Sequence, residues 1–108
     1  MEIKSAAASL TALGHEGRLV VYRRLVRAGP AGLAAGVLAR EVGLAPNTLS
    51  ASLKVLVHAG LVTSRRDGRS VVYAAAFDHM ATLIAYLVEN CCLEAIALPS
   101  CIVAEGMS

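Results

Sequence analysis

The chain lacks the long apolar run that a membrane-spanning helix requires. No stretch of its 108 residues approaches the roughly 18 consecutive apolar residues that such a helix needs. The N-terminal stretch contains Glu2 and Lys4 and has no apolar run of the kind found in a secretory signal. These absences argue against a membrane protein or a membrane partner, and they predict a cytoplasmic protein with reduced thiols.

Cysteine and basic residues are each missing from one part of the chain. None of the 3 cysteines occurs before residue 91, and none of the 10 Lys and Arg residues occurs after residue 76. Half of the 8 Asp and Glu residues lie in residues 77–108. The basic body is therefore expected to suit a polyanion such as DNA, and the acidic C-terminal part is expected to point away from that partner, the alternative being a chance difference in a small protein.

The sequence also contains no recognisable arrangement of catalytic groups. The 3 histidines, His15, His58 and His79, fall in separate predicted elements. No assembled nucleophile or phosphate-binding loop accompanies them. An enzyme is therefore not expected, and His58 is interpreted as a capping or surface residue at the end of a helix.

Residues 33–60 contain two short helical patterns separated by a sharp break. Gly43 and Leu44 end the first pattern, and Pro46 suits the first turn of the second. In the second helix Leu49, Leu53 and Leu56 recur at the spacing of an inward face. The remaining polar residues are short donors and acceptors plus one cation, a surface typical of a helix that reads the major groove of DNA. They are Asn47, Thr48, Ser50, Ser52 and Lys54.

A β-hairpin is predicted directly after this helix. Residues 61–66 and 69–73 are β-prone, and Asp67-Gly68 between them is a strong two-residue turn signal. Arg65, Arg66 and Arg69 are expected to crowd around that turn, an arrangement suited to contacting a phosphate backbone. The predicted architecture is a winged helix-turn-helix, mainly α with a β-hairpin wing.

These residues resemble the ArsR/SmtB family of metalloregulatory repressors. That family has a recognition helix followed by the pattern LKxLxxAGLV and a basic wing, and the chain matches it from Leu53 to Arg69. Upstream, residues 12–19 are similar to the family's opening motif, so the resemblance covers roughly residues 8 to 92. It implies a homodimer that binds double-stranded operator DNA and pairs through its first and last helices.

The outer helical patterns favour the same assembly. Residues 3–14 place apolar and small residues at helical spacing, as in an interface helix. Residues 77–92 carry a wide apolar stripe, which is Met80, Leu83, Ile84, Leu87 and Val88. A small domain that is 56% hydrophobic has little else to cover such a stripe, which favours an obligate dimer.

In the pattern of residues 18–28, the expected inward positions are Leu19, Tyr22, Leu25 and Val26.

The three cysteines, Cys91, Cys92 and Cys101, form the candidate sensor site. Three soft thiolates suit trivalent arsenic or antimony, which form three bonds to sulfur. Zinc normally takes a fourth ligand, for which Glu89, Glu94 or water would be needed. A Cys101 disulfide with Cys91 or Cys92 would instead make a redox switch, and a further alternative is that the cysteines only pack.

The sequence AYLVENCC at residues 85–92 is similar to the end of arsenite-responsive ArsR repressors. The resemblance implies release from DNA when arsenite or antimonite binds the cysteine triad. Two other family sites are not matched, because residues 33–42 contain no cysteine and no histidine follows His79. We therefore expect residues 1–92 to form the DNA-binding and dimerisation domain, and residues 93–108 to form a flexible tail that carries Cys101.

Overall fold

The computed structural model describes residues 1–89, which fold into five α-helices and one three-stranded antiparallel sheet with the strand order β1-β3-β2. The predicted winged helix-turn-helix is confirmed. No helix among these residues combines the length and the apolar character needed to cross a membrane. The elements are α1 (Ile3–Leu13), α2 (Glu16–Ala28), β1 (Leu33–Ala34), α3 (Ala35–Val42), α4 (Pro46–His58), β2 (Val62–Asp67), β3 (Ser70–Ala75) and α5 (Phe77–Val88).

The boundary predicted between a domain and a tail at residue 92 lies outside the described residues, as do all three cysteines, and it stays a prediction.

Within the described part, α2 begins at Glu16 rather than at residue 18 because His15 caps it. Nδ1 of His15 accepts a hydrogen bond from the backbone N–H of Arg18 at 3.3 Å. Nε of Arg18 in turn donates to the carbonyl oxygen of Ala12 at 2.7 Å. These bonds fix the corner between α1 and α2.

The predicted start of the first helix of the helix-turn-helix is wrong by two residues. Leu33 and Ala34 form β1 instead and pair with Tyr73 and Val72 of β3. Gly32 makes this pairing possible because its φ is 73° and a Cβ atom there would overlap the Tyr73 carbonyl. Strand pairing with a distant segment therefore overrides a local helical pattern.

The core lies between α2, α3, α4 and the start of the wing. Leu25, Leu38, Leu56 and Leu61 are completely buried, and Leu49 and Leu53 of α4 pack into the same cluster. Each buried leucine contributes on the order of 1.5–3 kcal/mol relative to exposure. The predicted inward face of α4 is confirmed.

Two predicted core positions of α2 are wrong. Leu19 is 41% exposed and Val26 is 39% exposed. The inward face is set by Val21, Tyr22 and Leu25, and Leu19 and Val26 lie roughly a quarter turn or more around the helix from its centre. Val21, which the pattern did not select, is completely buried.

The two outer helices divide their apolar residues between the core and the surface. On α1 the buried residues are small, namely Ala6, Ser9 and Ala12, whereas Ile3 is 70% exposed and Leu10 is 45% exposed. On α5 Leu83 is buried, whereas Leu87 is 51% exposed. A single chain therefore leaves large aliphatic side chains of both helices in contact with solvent.

Tyr22 is a buried residue whose hydroxyl group is not satisfied. Its Oη atom has no hydrogen-bond partner in the described part of the chain, although the ring is packed in the core. Burial raises the pKa of the Tyr22 phenol because the charged phenolate would lose its hydration. The hydroxyl group is therefore expected to cost stability rather than to add to it.

We expect Tyr22→Phe to leave the free energy of unfolding unchanged or to raise it by up to about 1 kcal/mol, because the ring is kept and the unpaired hydroxyl is removed. Urea unfolding of the two proteins measures the difference. Tyr22→Ala is the control for core packing and should cost about 3–5 kcal/mol. A loss of more than about 1 kcal/mol in the Phe variant would show that the hydroxyl has a partner.

Candidate nucleic-acid interface

Helix α4 presents a polar face because its apolar face is used by the core. Pro46 occupies the first turn, where a backbone N–H is not needed. Since Leu49, Leu53 and Leu56 are buried, the opposite side of the helix must point outward. Four of the five predicted DNA-facing residues of this helix are exposed: Asn47, Thr48, Ser50 and Lys54.

Ser52 is the exception, and its predicted place on the DNA-facing surface is wrong. It is only 8% exposed, because it follows Leu49 by three residues and precedes Leu56 by four, which places it on the inward face. The sequence-based assignment used residue polarity and not helical position. Ala51, by contrast, is exposed on the outer face.

The wing tip differs by one residue from its predicted form. Asp67 pairs with Ser70, so the two-residue loop is Gly68-Arg69 and not Asp67-Gly68. Gly68 has a φ of 65°, which both primed hairpin turns require at their first position. Arg69 therefore lies in the loop itself, at the end of the hairpin.

Arg65 and Arg66 do not crowd together, because successive residues of a strand point to opposite faces of the sheet. Arg65 donates from an Nη atom to the backbone carbonyl of Ala31 at 3.0 Å. Arg66 lies on the face of Ser64, and Ser64 lines a cleft with Lys54 of α4. Lys54 and Arg66 are therefore on the same side of the wing, whereas Arg65 is held on the other side.

The guanidinium groups of Arg66 and Arg69 have no hydrogen-bond or ion-pair partner within residues 1–89. Arg24, in comparison, pairs with Glu41. An exposed cation without an internal partner is available to an external anion. Arg66 and Arg69 are thus better placed to contact a phosphate than Arg65.

Sequence reasoning missed Arg40. It is exposed on α3 and lines a cleft of about 450 Å³ together with Pro46 and Ser50 of α4. A cation beside the first turns of α4 is a candidate for a phosphate contact that orients the helix. Its position in the last turn of α3, immediately before the break at Gly43, was the available signal.

The candidate metal residues Cys91, Cys92 and Cys101 lie outside the described residues. Among residues 1–89, no three His, Cys, Asp or Glu side chains are grouped closely enough to hold a metal ion. His79 contacts Ser9, with its Nε2 atom 2.8 Å from the serine Oγ. That contact turns one imidazole nitrogen toward α1.

The fold and the exposed surface of α4 and the wing define a winged helix-turn-helix protein. Residues 13–65 match a family model described as a helix-turn-helix domain. The HTH-type transcriptional regulator NmtR of Mycobacterium tuberculosis is 38% identical over 78 residues, which are 72% of this chain and 62% of that protein. The chain thus spans less than two thirds of that relative.

Solved structures that are similar to this chain indicate the same class of protein. The homodimeric winged helix-turn-helix DNA-binding domain of a possible ArsR-family regulator from Mycobacterium bovis is similar at 30% identity and a TM-score of 0.67, covering 79% of this chain and 76% of that one. NolR from Sinorhizobium fredii is similar at 32% identity and a TM-score of 0.64, covering 80% and 83%. The chain belongs to the ArsR family of transcriptional regulators.

We expect Arg66→Gln with Arg69→Gln to weaken binding to all DNA sequences and to reduce the slope of log K against log salt by about one unit for each phosphate that is no longer neutralised. Fluorescence anisotropy on a labelled duplex at several salt concentrations measures the slope. Arg65→Gln is the control for each single variant, Arg66→Gln and Arg69→Gln, and should change the slope less than either, because that guanidinium is already bonded to Ala31. An equal effect of the control and the single variants would contradict the assignment.

Proposed function

We propose that the protein is a homodimeric repressor that binds double-stranded operator DNA with α4 in the major groove and the wing tip on the phosphate backbone. The observation that carries the proposal is the exposed polar face of α4, with Lys54 and Arg66 on the same side of the wing. Asn47, Thr48 and Ser50 would contact base edges and phosphates. Arg40 and Arg69 would add phosphate contacts.

A second copy of the chain would cover the exposed aliphatic residues of the outer helices. Ile3, Leu10 and Leu87 are large and solvent-exposed in one chain, and burying them would stabilise the pair by about 25 cal/mol for each Å² of apolar area. The homodimeric Mycobacterium bovis domain supports this arrangement. A two-fold dimer would place two copies of α4 at a fixed distance, so the operator should be an inverted repeat.

The proposed inducer is arsenite or antimonite, bound by Cys91, Cys92 and Cys101. Each thiol would give up its proton as an arsenic–oxygen bond is replaced by an arsenic–sulfur bond, and water would be released. The support is the grouping of all 3 cysteines after α5 and the preference of soft thiolates for thiophilic centres. Helix α5 ends at Val88, so a change at Cys91 would act on the end of a helix that we place in the dimer contact.

Release from DNA would follow from the thermodynamic linkage between inducer binding and DNA binding. The inducer can shift the equilibrium only if it binds the DNA-free form of the dimer more tightly than the DNA-bound form. A site next to α5 can meet that condition by altering how the two protomers pack. A redox switch through Cys101, or a zinc site, would use the same route with a different signal, so the test must include each of these.

We expect Leu87→Glu to dissociate the dimer and to lose operator binding at the same time, because the buried interface would contain an unpaired charge. Analytical ultracentrifugation and a gel shift measure the two effects. Thr82→Glu is the matched control, since Thr82 is exposed on the opposite side of α5 from the apolar stripe. A monomeric unmodified protein that still binds the operator would overturn the dimer proposal.

We expect Cys91→Ser, Cys92→Ser and Cys101→Ser each to keep operator affinity and to lose release by arsenite, because serine has nearly the shape of cysteine but is a hard ligand. A gel shift titrated with arsenite, antimonite, zinc and peroxide measures release. Ser100→Ala, next to Cys101, should behave as the unmodified protein.

Other outcomes identify the alternatives. Release by peroxide that a thiol reductant reverses, with no response to arsenite, would replace the inducer proposal with the redox switch. Release by zinc alone would replace it with a zinc sensor. An arsenite response that survives in the Cys101→Ser variant would limit the site to Cys91 and Cys92.

A further inference from the structure

Helices α1, α4 and α5 meet at one small polar contact. Ser9 of α1 is completely buried, and its Oγ atom lies 2.8 Å from Nε2 of His79 on α5 and 3.4 Å from the carbonyl oxygen of Ala59, the residue that follows α4. We call Ser9, Ala59, Gly60 and His79 the exit junction. It joins the end of the helix proposed to read DNA to the two helices proposed to pair the protomers.

The hydrogen-bond directions at the exit junction follow from donor chemistry. The Ala59 carbonyl can only accept, so the single hydroxyl proton of Ser9 must point to it if that bond is made. Nε2 of His79 must then carry a proton and donate it to the Ser9 oxygen. Both bonds can exist together only in this arrangement, and a buried serine hydroxyl is satisfied in both of its roles.

Gly60 lets the imidazole ring approach the end of α4. Its φ is 84°, and a Cβ atom at this position would lie 3.0 Å from Cε1 and 3.1 Å from Nδ1 of His79. The backbone N–H of Gly60 donates to the Val57 carbonyl and that of Leu61 donates to the Leu56 carbonyl, each at 3.0 Å. This is the glycine-terminated helix end known as a Schellman motif, and His79 packs directly on it.

The exit junction also fixes the start of the wing. Strand β2 begins at Val62, only two residues after Gly60. The backbone N–H of Ala76, just before α5, donates to the Leu61 carbonyl at 2.8 Å. The last turn of α4, the first residue of the wing and the first turn of α5 are therefore held together by directional contacts and not by apolar packing alone.

We infer that Ser9 and His79 are positioning residues that set the orientation of α4 and the wing relative to α1 and α5. The functional consequence of this inference rests on the proposed function. In a dimer built on α1 and α5, this orientation fixes the distance between the two copies of α4. Hydrogen bonds restrict an angle more tightly than apolar contacts do. Losing them should therefore relax the distance between half-sites that the dimer accepts.

The test uses the full-length protein and a duplex with an inverted repeat, selected by the unmodified protein from a random-sequence pool. His79→Leu should lower affinity for this duplex about tenfold, because one hydrogen bond is removed in each protomer. The variant's preference for the selected duplex over a duplex with one extra base pair between the half-sites should fall by a similar factor. Affinity for random duplex should not change. Ser9→Ala should have the same effects.

Two further variants separate positioning from loss of stability. His79→Gln retains a side-chain N–H that can donate to Ser9, so it should recover most of the affinity and the spacing preference. Val21→Ala removes methyl groups from a completely buried position of α2 and leaves both side chains of the Ser9–His79 contact unchanged. It should lower the unfolding temperature without changing the spacing preference. An unchanged spacing preference in His79→Leu, or an equal loss in Val21→Ala, would overturn the positioning role.

Hydrogen exchange distinguishes failure of this inference from failure of the proposed function. In the unmodified protein without DNA, the amides of residues 56–61 should exchange slowly, and His79→Leu should accelerate them selectively. Val21→Ala should not accelerate them selectively. If the unmodified protein selects no duplex, the DNA-binding proposal fails, and the exchange result alone then supports or overturns the exit junction.

Discussion

Burial of the leucine face of α4 is the constraint on which the rest of the structure depends. Leu49, Leu53 and Leu56 fill the core against α2 and α3, and a face that is buried cannot be presented to a ligand. The opposite face must therefore be solvent-exposed, and it carries Asn47 and Lys54. Placement of the proposed recognition surface thus follows from packing of the core.

The sequence predicted what depends on local chemistry and periodic spacing. Pro46 and the three leucines defined the central helix, and Gly68 defined the hairpin. The sequence did not predict β1, because that strand exists only through pairing with β3 at Tyr73 and Val72. It placed Ser52 on the exposed face of α4, because residue polarity was used in place of helical position. The bond between Ser9 and His79 joins residues 70 positions apart, and no local pattern could have indicated it.

The distribution of charge and of exposed apolar residues gives the molecule two kinds of surface. The basic residues of α3, α4 and the wing suit a polyanion, whereas Ile3, Leu10 and Leu87 suit an apolar partner such as a second copy of the chain. The exit junction lies between these surfaces, since it contacts α1, α4 and α5. The exit junction therefore connects the helix that is proposed to read DNA with the helices that are proposed to pair the protomers.

Amide chemical shifts of the isotope-labelled protein, followed by NMR as a selected operator duplex is added, test the central claim most directly. The account predicts the largest changes at Asn47, Thr48, Ser50 and Lys54 and at the wing tip around Arg69, with the side chain of Ser52 remaining in the core. Largest changes on the exposed face of α2, with α4 and the wing unaffected, would contradict it.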